Sequence, residues 1–182
     1  MKSDSLTLVG LGLGLCCAAA IIFGWQWLAL LLLVGNRVAD GLDGAVARAT
    51  DTTDRGGFLD ITCDFIVYGA IPLAFAVRDP VLFALPAAVL LAAFTANGAS
   101  FLAYAAVAAK RQMRTEVRGV KSLYYSTGLV EGSETIVFFV AFILFPAWFP
   151  WLAYGFAALC MITCVARIML GWRVFGVDDC AK

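Results

Sequence analysis

Six apolar stretches, each long enough for a helix to cross a bilayer, constrain the fold of this chain more than any other feature. A transmembrane helix needs about 20 predominantly apolar residues. The 182 residues are 63% hydrophobic and 14% charged, which is outside the composition of ordinary soluble domains. The chain is therefore predicted to be an all-α, polytopic integral membrane protein, with one six-helix domain over residues 1–182. The six predicted transmembrane helices cover residues 6–23, 27–47, 58–77, 81–109, 122–145 and 151–172.

The distribution of positive charge predicts the orientation in the membrane. Lys and Arg gather at one set of span ends, whereas the opposite set has only Arg78 beside Asp79. By the positive-inside rule, both termini and the polar segments 49–56 and 110–121 lie in the cytoplasm. This pattern indicates a bacterial-type inner (cytoplasmic) membrane. The residues on the positive side are Lys2, Arg48, Arg55, Lys110, Arg111, Arg114, Arg118, Lys121, Arg173 and Lys182.

The cysteine and histidine content narrows the possible chemistry. Five of the six cysteines fall inside predicted spans, so a disulfide framework is not expected. Cys160 and Cys164 share a helical face, but no His and no second Cys pair accompanies them, so core packing is favoured over a metal pair. The chain contains no histidine at all, which leaves carboxylates as the available acid or base groups at neutral pH.

Four aspartates form an acidic motif between residues 40 and 64. Their spacing puts Asp40 and Asp43 on one helical face, and Asp60 and Asp64 on one face of the next helix. Counted from the intervening turn, Asp40 and Asp64 lie one turn deeper than the other two. Four carboxylates so close together repel each other unless protons or cations neutralise them. Ligation by carboxylates alone indicates Mg²⁺ or Mn²⁺, and we predict two such ions.

The residues between the aspartates suggest what the ions bind. Gly44 and Ala47 leave the helix surface bare beside the acids, and Arg48 adds a guanidinium one turn from Gly44. A diphosphate held between metal ions and an arginine would fit this surface. Alternatively, these small residues serve helix packing, but that interpretation leaves four intramembrane acids unexplained.

This spacing resembles the signature of the CDP-alcohol phosphotransferase (CDP-alcohol phosphatidyltransferase) family, Asp-x2-Asp-Gly-x2-Ala-Arg followed by Gly-x3-Asp-x3-Asp. The resemblance implies a membrane enzyme, usually a homodimer. Such an enzyme passes the phosphoalcohol moiety of a CDP-alcohol, most often CDP-diacylglycerol, to an acceptor hydroxyl and releases CMP in phospholipid biosynthesis.

The resemblance also implies roles for individual residues. Asp40, Asp43 and Asp60 would hold the metal ions, and Asp64 would be the catalytic base and a further metal ligand. The CDP-binding residues would be Asp40, Gly44, Ala47, Arg48 and Thr53, which lies three residues before Gly56.

The acceptor site is predicted less directly. Gly119-x-Lys121-Ser122 resembles a Gly-x-Lys-Thr that relatives making phosphatidylglycerol phosphate carry, so Arg118, Lys121 and Ser122 are candidate acceptor-binding residues. Arg167, within the last span, is a further candidate for an acceptor phosphate. The preceding residues of the basic segment are expected to contact anionic lipid instead; they are Lys110, Arg111 and Arg114.

Two questions stay open from the sequence alone. Glu131 and Glu134 lie in the predicted fifth span, where they either pair with Arg37 or hydrogen-bond the acceptor. A divalent-cation carrier is the alternative function, because it would also need intramembrane acids. We consider it less suitable, since the acids lie toward one side and alternate with Gly, Ala and Arg.

Overall fold

The computed structural model describes residues 3–49, 53–111 and 132–176, and all the regular structure in these ranges is helical. The all-α prediction is therefore confirmed for this part of the chain. The α-helices are α1 Ser3–Ile22, α2 Gln26–Ala49, α3 Asp54–Arg78, α4 Pro80–Lys110, α5 Gly132–Leu144 and α6 Phe149–Gly176, with a 3-10 turn at Pro146–Trp148 before α6.

Four of these helices, α1, α3, α4 and α6, are long and apolar enough to cross a membrane. Helix α2 has 24 residues, but it carries Arg37, Asp40 and Asp43, so the acidic motif itself lowers its apolar character. Helix α5 has 13 described residues, because 122–131 of the predicted fifth span lie outside the described ranges. The structure thus supports four of the six predicted spans by length and composition.

Tight turns connect the helices at the end far from the acidic motif. Gly24 adopts a φ of +75°, which favours glycine, between α1 and α2. Asp79 ends α3 and also caps α4, where its carboxylate accepts a hydrogen bond from the Leu82 amide at 3.1 Å. Pro80 then occupies the first position of α4, which needs no amide hydrogen. These short connections leave consecutive helices antiparallel.

An aromatic cluster, Phe75, Phe83, Phe142 and Phe149, forms the core near these turns. All four side chains are buried, and the Phe75 and Phe149 rings stack with centroids 4.3 Å apart. The cluster joins the end of α3 to the starts of α4 and α6 and the end of α5. Elsewhere, α1 packs against both α2 and α3, and α4 packs against both α3 and α6.

Large apolar side chains cover much of the outer surface. Val81 is 93% exposed, Trp172 84% and Trp27 78%. A water-soluble protein rarely exposes so much apolar area, whereas lipid tails accommodate it. The five described cysteines are free of disulfides, and Cys160 and Cys164 are buried, as the packing interpretation requires.

Candidate active site

The acidic motif lies at the end of the bundle opposite the aromatic cluster, where α2 ends and α3 begins. Asp40 is nine residues before the end of α2 and Asp64 is ten residues after the start of α3. At 1.5 Å per residue, both lie about 14–15 Å from those helix ends. The side chains of Asp40, Asp60 and Asp64 line one small cavity, with Thr7 of α1 in its wall. The structure therefore brings three of the four predicted aspartates together.

Asp43 is buried but does not line this cavity. Its carboxylate accepts a hydrogen bond from the Thr7 hydroxyl of α1. Thr7 was not predicted as a site residue, because nothing in the sequence indicates which face of α1 meets α2. Helix α1 is thus part of the site, since it packs against both helices that carry the motif.

Arg37 is the main feature of the site that the sequence did not predict. Its guanidinium Nη2 lies 3.0 Å from Asp64 Oδ1, and Nη1 lies 3.5 Å from Asp40 Oδ2. Its Nε donates to Asn36 Oδ1 at 2.8 Å, while the Asn36 amide donates to the Gly10 carbonyl at 2.8 Å. One arginine therefore connects both motif helices, and Asn36 fixes its orientation against α1.

The suggested pairing of Arg37 with the glutamates of the fifth span is wrong for Glu134. Arg37 forms its ion pairs with Asp40 and Asp64, and Glu134 accepts a hydrogen bond from Ser133 at 3.0 Å. The physical reason is distance along α2: Asp40 is only one turn away, so it competes effectively for the guanidinium. Glu131 lies outside the described residues.

Tyr68 holds the second oxygen of Asp64. Its hydroxyl donates to Asp64 Oδ2 at 3.3 Å, and its ring packs edge-on against Phe139, with centroids 5.9 Å apart. Both oxygens of the predicted base are therefore hydrogen-bonded, one by Arg37 and one by Tyr68. The four-residue spacing of Asp64 and Tyr68 is a signal that could have identified this contact from the sequence.

The carboxylates suit a hard divalent cation in their chemistry. Asp40, Asp60 and Asp64 line one small cavity, and carboxylates that share a site repel each other unless protons or cations neutralise them. Among the described residues, however, no group of three or more acidic, Cys or His side chains is close enough to hold a metal ion. Carboxylate oxygens are donor atoms that suit Mg²⁺ or Mn²⁺. In this structure the positive charge beside Asp40 and Asp64 comes from Arg37.

The other predicted CDP-binding residues lie closer than Asp40 to the end of α2 or the start of α3. Thr53 caps α3, and its hydroxyl accepts a hydrogen bond from the Gly56 amide at 3.1 Å. Gly44 is half-buried on α2. Ala47 and Arg48 belong to the last turns of α2, but their side chains lie outside what the structure describes.

A second, larger cavity of about 510 Å³ adjoins Asp64, between α3, α4, α5 and α6. Arg167, a predicted acceptor residue, lies in its wall. Its Nη1 donates to the Asn97 carbonyl at 3.1 Å, to Asn97 Oδ1 at 2.9 Å and to the Ser100 hydroxyl at 2.9 Å. The guanidinium also lies 5.5 Å from the centre of the Phe101 ring. The other acceptor candidates, Arg118, Lys121 and Ser122, lie outside the described residues.

Two solved structures show a fold similar to this one. The crystal structure of Mycobacterium tuberculosis phosphatidylinositol phosphate synthase (PgsA1) with CDP-DAG bound matches with a TM-score of 0.74 at 22% identity, over 94% of this chain and 87% of that one. The apo form of the same protein matches with a TM-score of 0.62 at 23% identity, over 94% and 90% of the two chains. At these identities the comparison concerns the fold alone.

Sequence comparisons give the family. The inner membrane protein YnjF of Escherichia coli (strain K12) is 47% identical over 169 residues, which are 93% of this chain and 82% of that protein. The family model described as CDP-alcohol phosphatidyltransferase matches residues 2–173. That range contains the whole acidic motif and every described helix up to the last three residues of α6. The chain belongs to the CDP-alcohol phosphatidyltransferase family.

Proposed function

We propose that this protein transfers the phosphatidyl group of CDP-diacylglycerol to an acceptor hydroxyl and releases CMP. The observation that carries the proposal is the shared position of Asp64. It lines the cavity of Asp40 and Asp60, and it also borders the larger cavity that contains Arg167. A carboxylate between two cavities suits a transfer between two substrates, with the donor on the motif side and the acceptor on the other.

The reaction requires one bond to form and one to break. The acceptor oxygen attacks the phosphorus that carries the diacylglycerol, and the bond from that phosphorus to the oxygen of the CMP phosphate breaks. Asp64 takes the proton of the acceptor hydroxyl, and CMP leaves with the electron pair of the broken bond. Arg37 and Tyr68 hold the two Asp64 oxygens, so they orient this base.

Divalent cations, when bound, would neutralise the diphosphate oxygens and the departing CMP. Asp40, Asp43, Asp60 and Asp64 are the residues that would hold them, with two Mg²⁺ or Mn²⁺ ions as the proposal. Carboxylate oxygens are the ligands that both ions prefer.

The donor would bind at the open end of the motif. Gly44 and Ala47 present little side chain there, so a diphosphate could approach the α2 backbone, and Arg48 would form a forked contact to phosphate. Thr53 stands at the first turn of α3, whose amides favour an anion. Arg118, Lys121, Ser122 and Arg167 remain the proposed acceptor-binding residues.

We also propose an inner-membrane enzyme with six spans, a site that faces the cytoplasm, and a homodimeric assembly. The positive charges at the motif end support the orientation. The name of the Escherichia coli relative supports the inner membrane as its location.

The test is CMP release from labelled CDP-diacylglycerol by the purified protein in nanodiscs, with Mg²⁺ and a panel of alcohols. Asn at Asp40, Asp43, Asp60 or Asp64 should lower turnover at least ~100-fold, because each carboxylate serves ligation or proton removal. Asp54→Asn, an exposed acid in the first turn of α3, is the matched control and should keep its activity.

Wild-type turnover in any two of the four site variants would refute the assignment. Metal flux into liposomes without CMP release would instead identify a cation carrier.

A further inference from the structure

The large cavity has two levels along the bundle. Asp64 and Arg167 mark the first, because each lies about 14–15 Å from the motif end of its helix at 1.5 Å per residue. The cavity then continues away from that end, past Gly69 of α3 and Leu91 of α4 to Cys160 of α6. Cys160 is seven residues from Arg167, so this second level reaches ~10 Å deeper.

Most side chains at the deeper level are apolar, and the polar ones are uncharged. The apolar side chains that line the cavity include Phe65, Leu91 and Phe94. A Cβ built at Gly98 of α4 would overlap the Phe65 ring of α3, so these two helices pack closely at this wall. The Thr95 hydroxyl donates to the Leu91 carbonyl at 2.9 Å, within its own helix. Among the described lining residues, Asp64 and Arg167 alone carry charge.

We infer that the acceptor alcohol is itself an anionic lipid with a single hydrocarbon chain. This inference rests on the proposed function, which assigns the cavity beyond Asp64 to the acceptor. The reacting hydroxyl would meet Asp64, an anionic group would lie at the level of Arg167, and the chain would extend past Gly69 toward Cys160. The hydroxyl would then face a carboxylate, the anionic group a guanidinium, and the hydrocarbon chain mainly apolar side chains.

The size of the cavity suits a small amphipathic ligand. Its volume of about 510 Å³ lies within the ~300–1,000 Å³ of typical small-molecule sites. A glycerol phosphate head with one medium chain is a ligand of this class. A small polyol phosphate would leave the apolar level without contacts, and an amino alcohol would need a further carboxylate beside Asp64 that the described lining lacks.

The experiment compares esters that differ only in chain length, with glycerol 3-phosphate as the acceptor that has no chain. Glycerol 3-phosphate and its 1-butanoyl, 1-octanoyl and 1-palmitoyl esters, each with a free hydroxyl, are offered with CDP-diacylglycerol to the enzyme in nanodiscs. The apparent KM should fall at least ~10-fold from the butanoyl to the octanoyl ester, because both offer the same hydroxyl and each methylene buried in the cavity favours binding.

A cavity-filling variant separates binding in the cavity from simple partition into the bilayer. Among the described residues, no atom outside the adjoining α3 backbone lies within 4 Å of a Cβ built at Gly69, so Gly69→Leu adds a side chain to the deeper level without a clash with them at that atom. It should abolish the preference for the octanoyl ester while the KM for CDP-diacylglycerol stays unchanged. Gly155→Leu is the control, because Gly155 is equally open but lies outside the cavity.

The outcomes distinguish the two proposals. CMP release from glycerol 3-phosphate, serine or inositol with no effect of chain length overturns the lipid acceptor and leaves the transferase intact. An octanoyl preference that persists in Gly69→Leu also overturns it, since partition alone then explains the preference. No CMP release with any acceptor, including every ester, refutes the proposed function itself.

Discussion

At the scale of single residues, Arg37 determines much of the charge balance of the site. Its guanidinium contacts carboxylates on both motif helices, and both groups are only partly exposed, 20% for the Arg37 side chain and 28% for that of Asp64. Arginine suits this position because its planar fork reaches two acceptors at once. A lysine ammonium would keep the charge but would not hold both carboxylates in the same orientation.

Arg37→Gln should therefore lower both turnover and stability. Leaving charged groups without their partner costs about 1–3 kcal/mol at partly buried sites, which corresponds to a loss of at least ~5-fold in turnover if Asp64 loses its orientation. Arg37→Lys should recover part of the stability and little of the turnover. Thermal unfolding in detergent and steady-state kinetics measure the two effects.

Arg55→Gln is the matched control, since Arg55 pairs with Asp4 but is 80% exposed. Such a pair contributes about 0–1 kcal/mol, so this variant should unfold within a few degrees of wild type. Equal losses in both variants would mean that Arg37 contributes only general charge.

Tyr68→Phe tests the other contact of Asp64. The variant keeps the ring against Phe139 but removes the hydroxyl, so turnover should fall about 3- to 10-fold while the melting temperature changes little. Tyr154→Phe, on the outer surface of α6, should leave both unchanged. Unchanged turnover in Tyr68→Phe would show that the hydroxyl does not position the base.

The sequence predicted that the aspartates of the motif come together, but not all of their contacts. The Asp40, Asp60 and Asp64 assembly follows from helical spacing alone, as does their depth. The Arg37–Asp64 contact joins residues 27 apart in the chain, and it depends on how α1 separates α2 from α3. Helical periodicity contains no information about that separation.

At the scale of elements, α1 acts as a spacer between the two motif helices. A Cβ built at Gly14 would lie 2.5 Å from Val67 Cγ2 on α3, so the two backbones approach closely at this point. The sequence predicted α1 only as a membrane span. The sequence does not show which glycine of α1 contacts a neighbouring helix. Helix α1 is apolar on all sides, so its hydrophobic residues show no helical period that would mark a buried face.

Gly14→Ala should consequently destabilise the protein by about 1–3 kcal/mol, because valine has little rotamer freedom on a helix and α1 must move. Gly12→Ala is the control: in the described part of the chain, no atom of another helix lies within 4 Å of a Cβ built there, and alanine favours a helix over glycine, so stability should stay equal or rise. Thermal unfolding measures both variants. Equal stabilities of the two would contradict the close approach of α1 and α3.

At the scale of the whole molecule, the bundle has an acidic end and an aromatic end. Asp54 is the first residue of α3, and Val81 follows the turn at the other end of that helix. The two residues should therefore lie on opposite sides of the membrane. In a cysteine-free background, Asp54→Cys should react with an impermeant thiol reagent only from the cytoplasm, and Val81→Cys only from the other side. Labelling of both from one side would contradict the topology.

The aromatic end also matters for proton leakage across the membrane. Ionisable carboxylates that lie about 15 Å from the motif end could carry protons part of the way across a membrane. The rest of the way is closed by the aromatic cluster, in which each side chain is at most 7% exposed. Water does not occupy so apolar and tightly packed a layer. In the part of the chain that the structure describes, this layer separates Asp64 from the far end of the bundle, so we expect a carboxylate at this depth not to leak protons across the membrane.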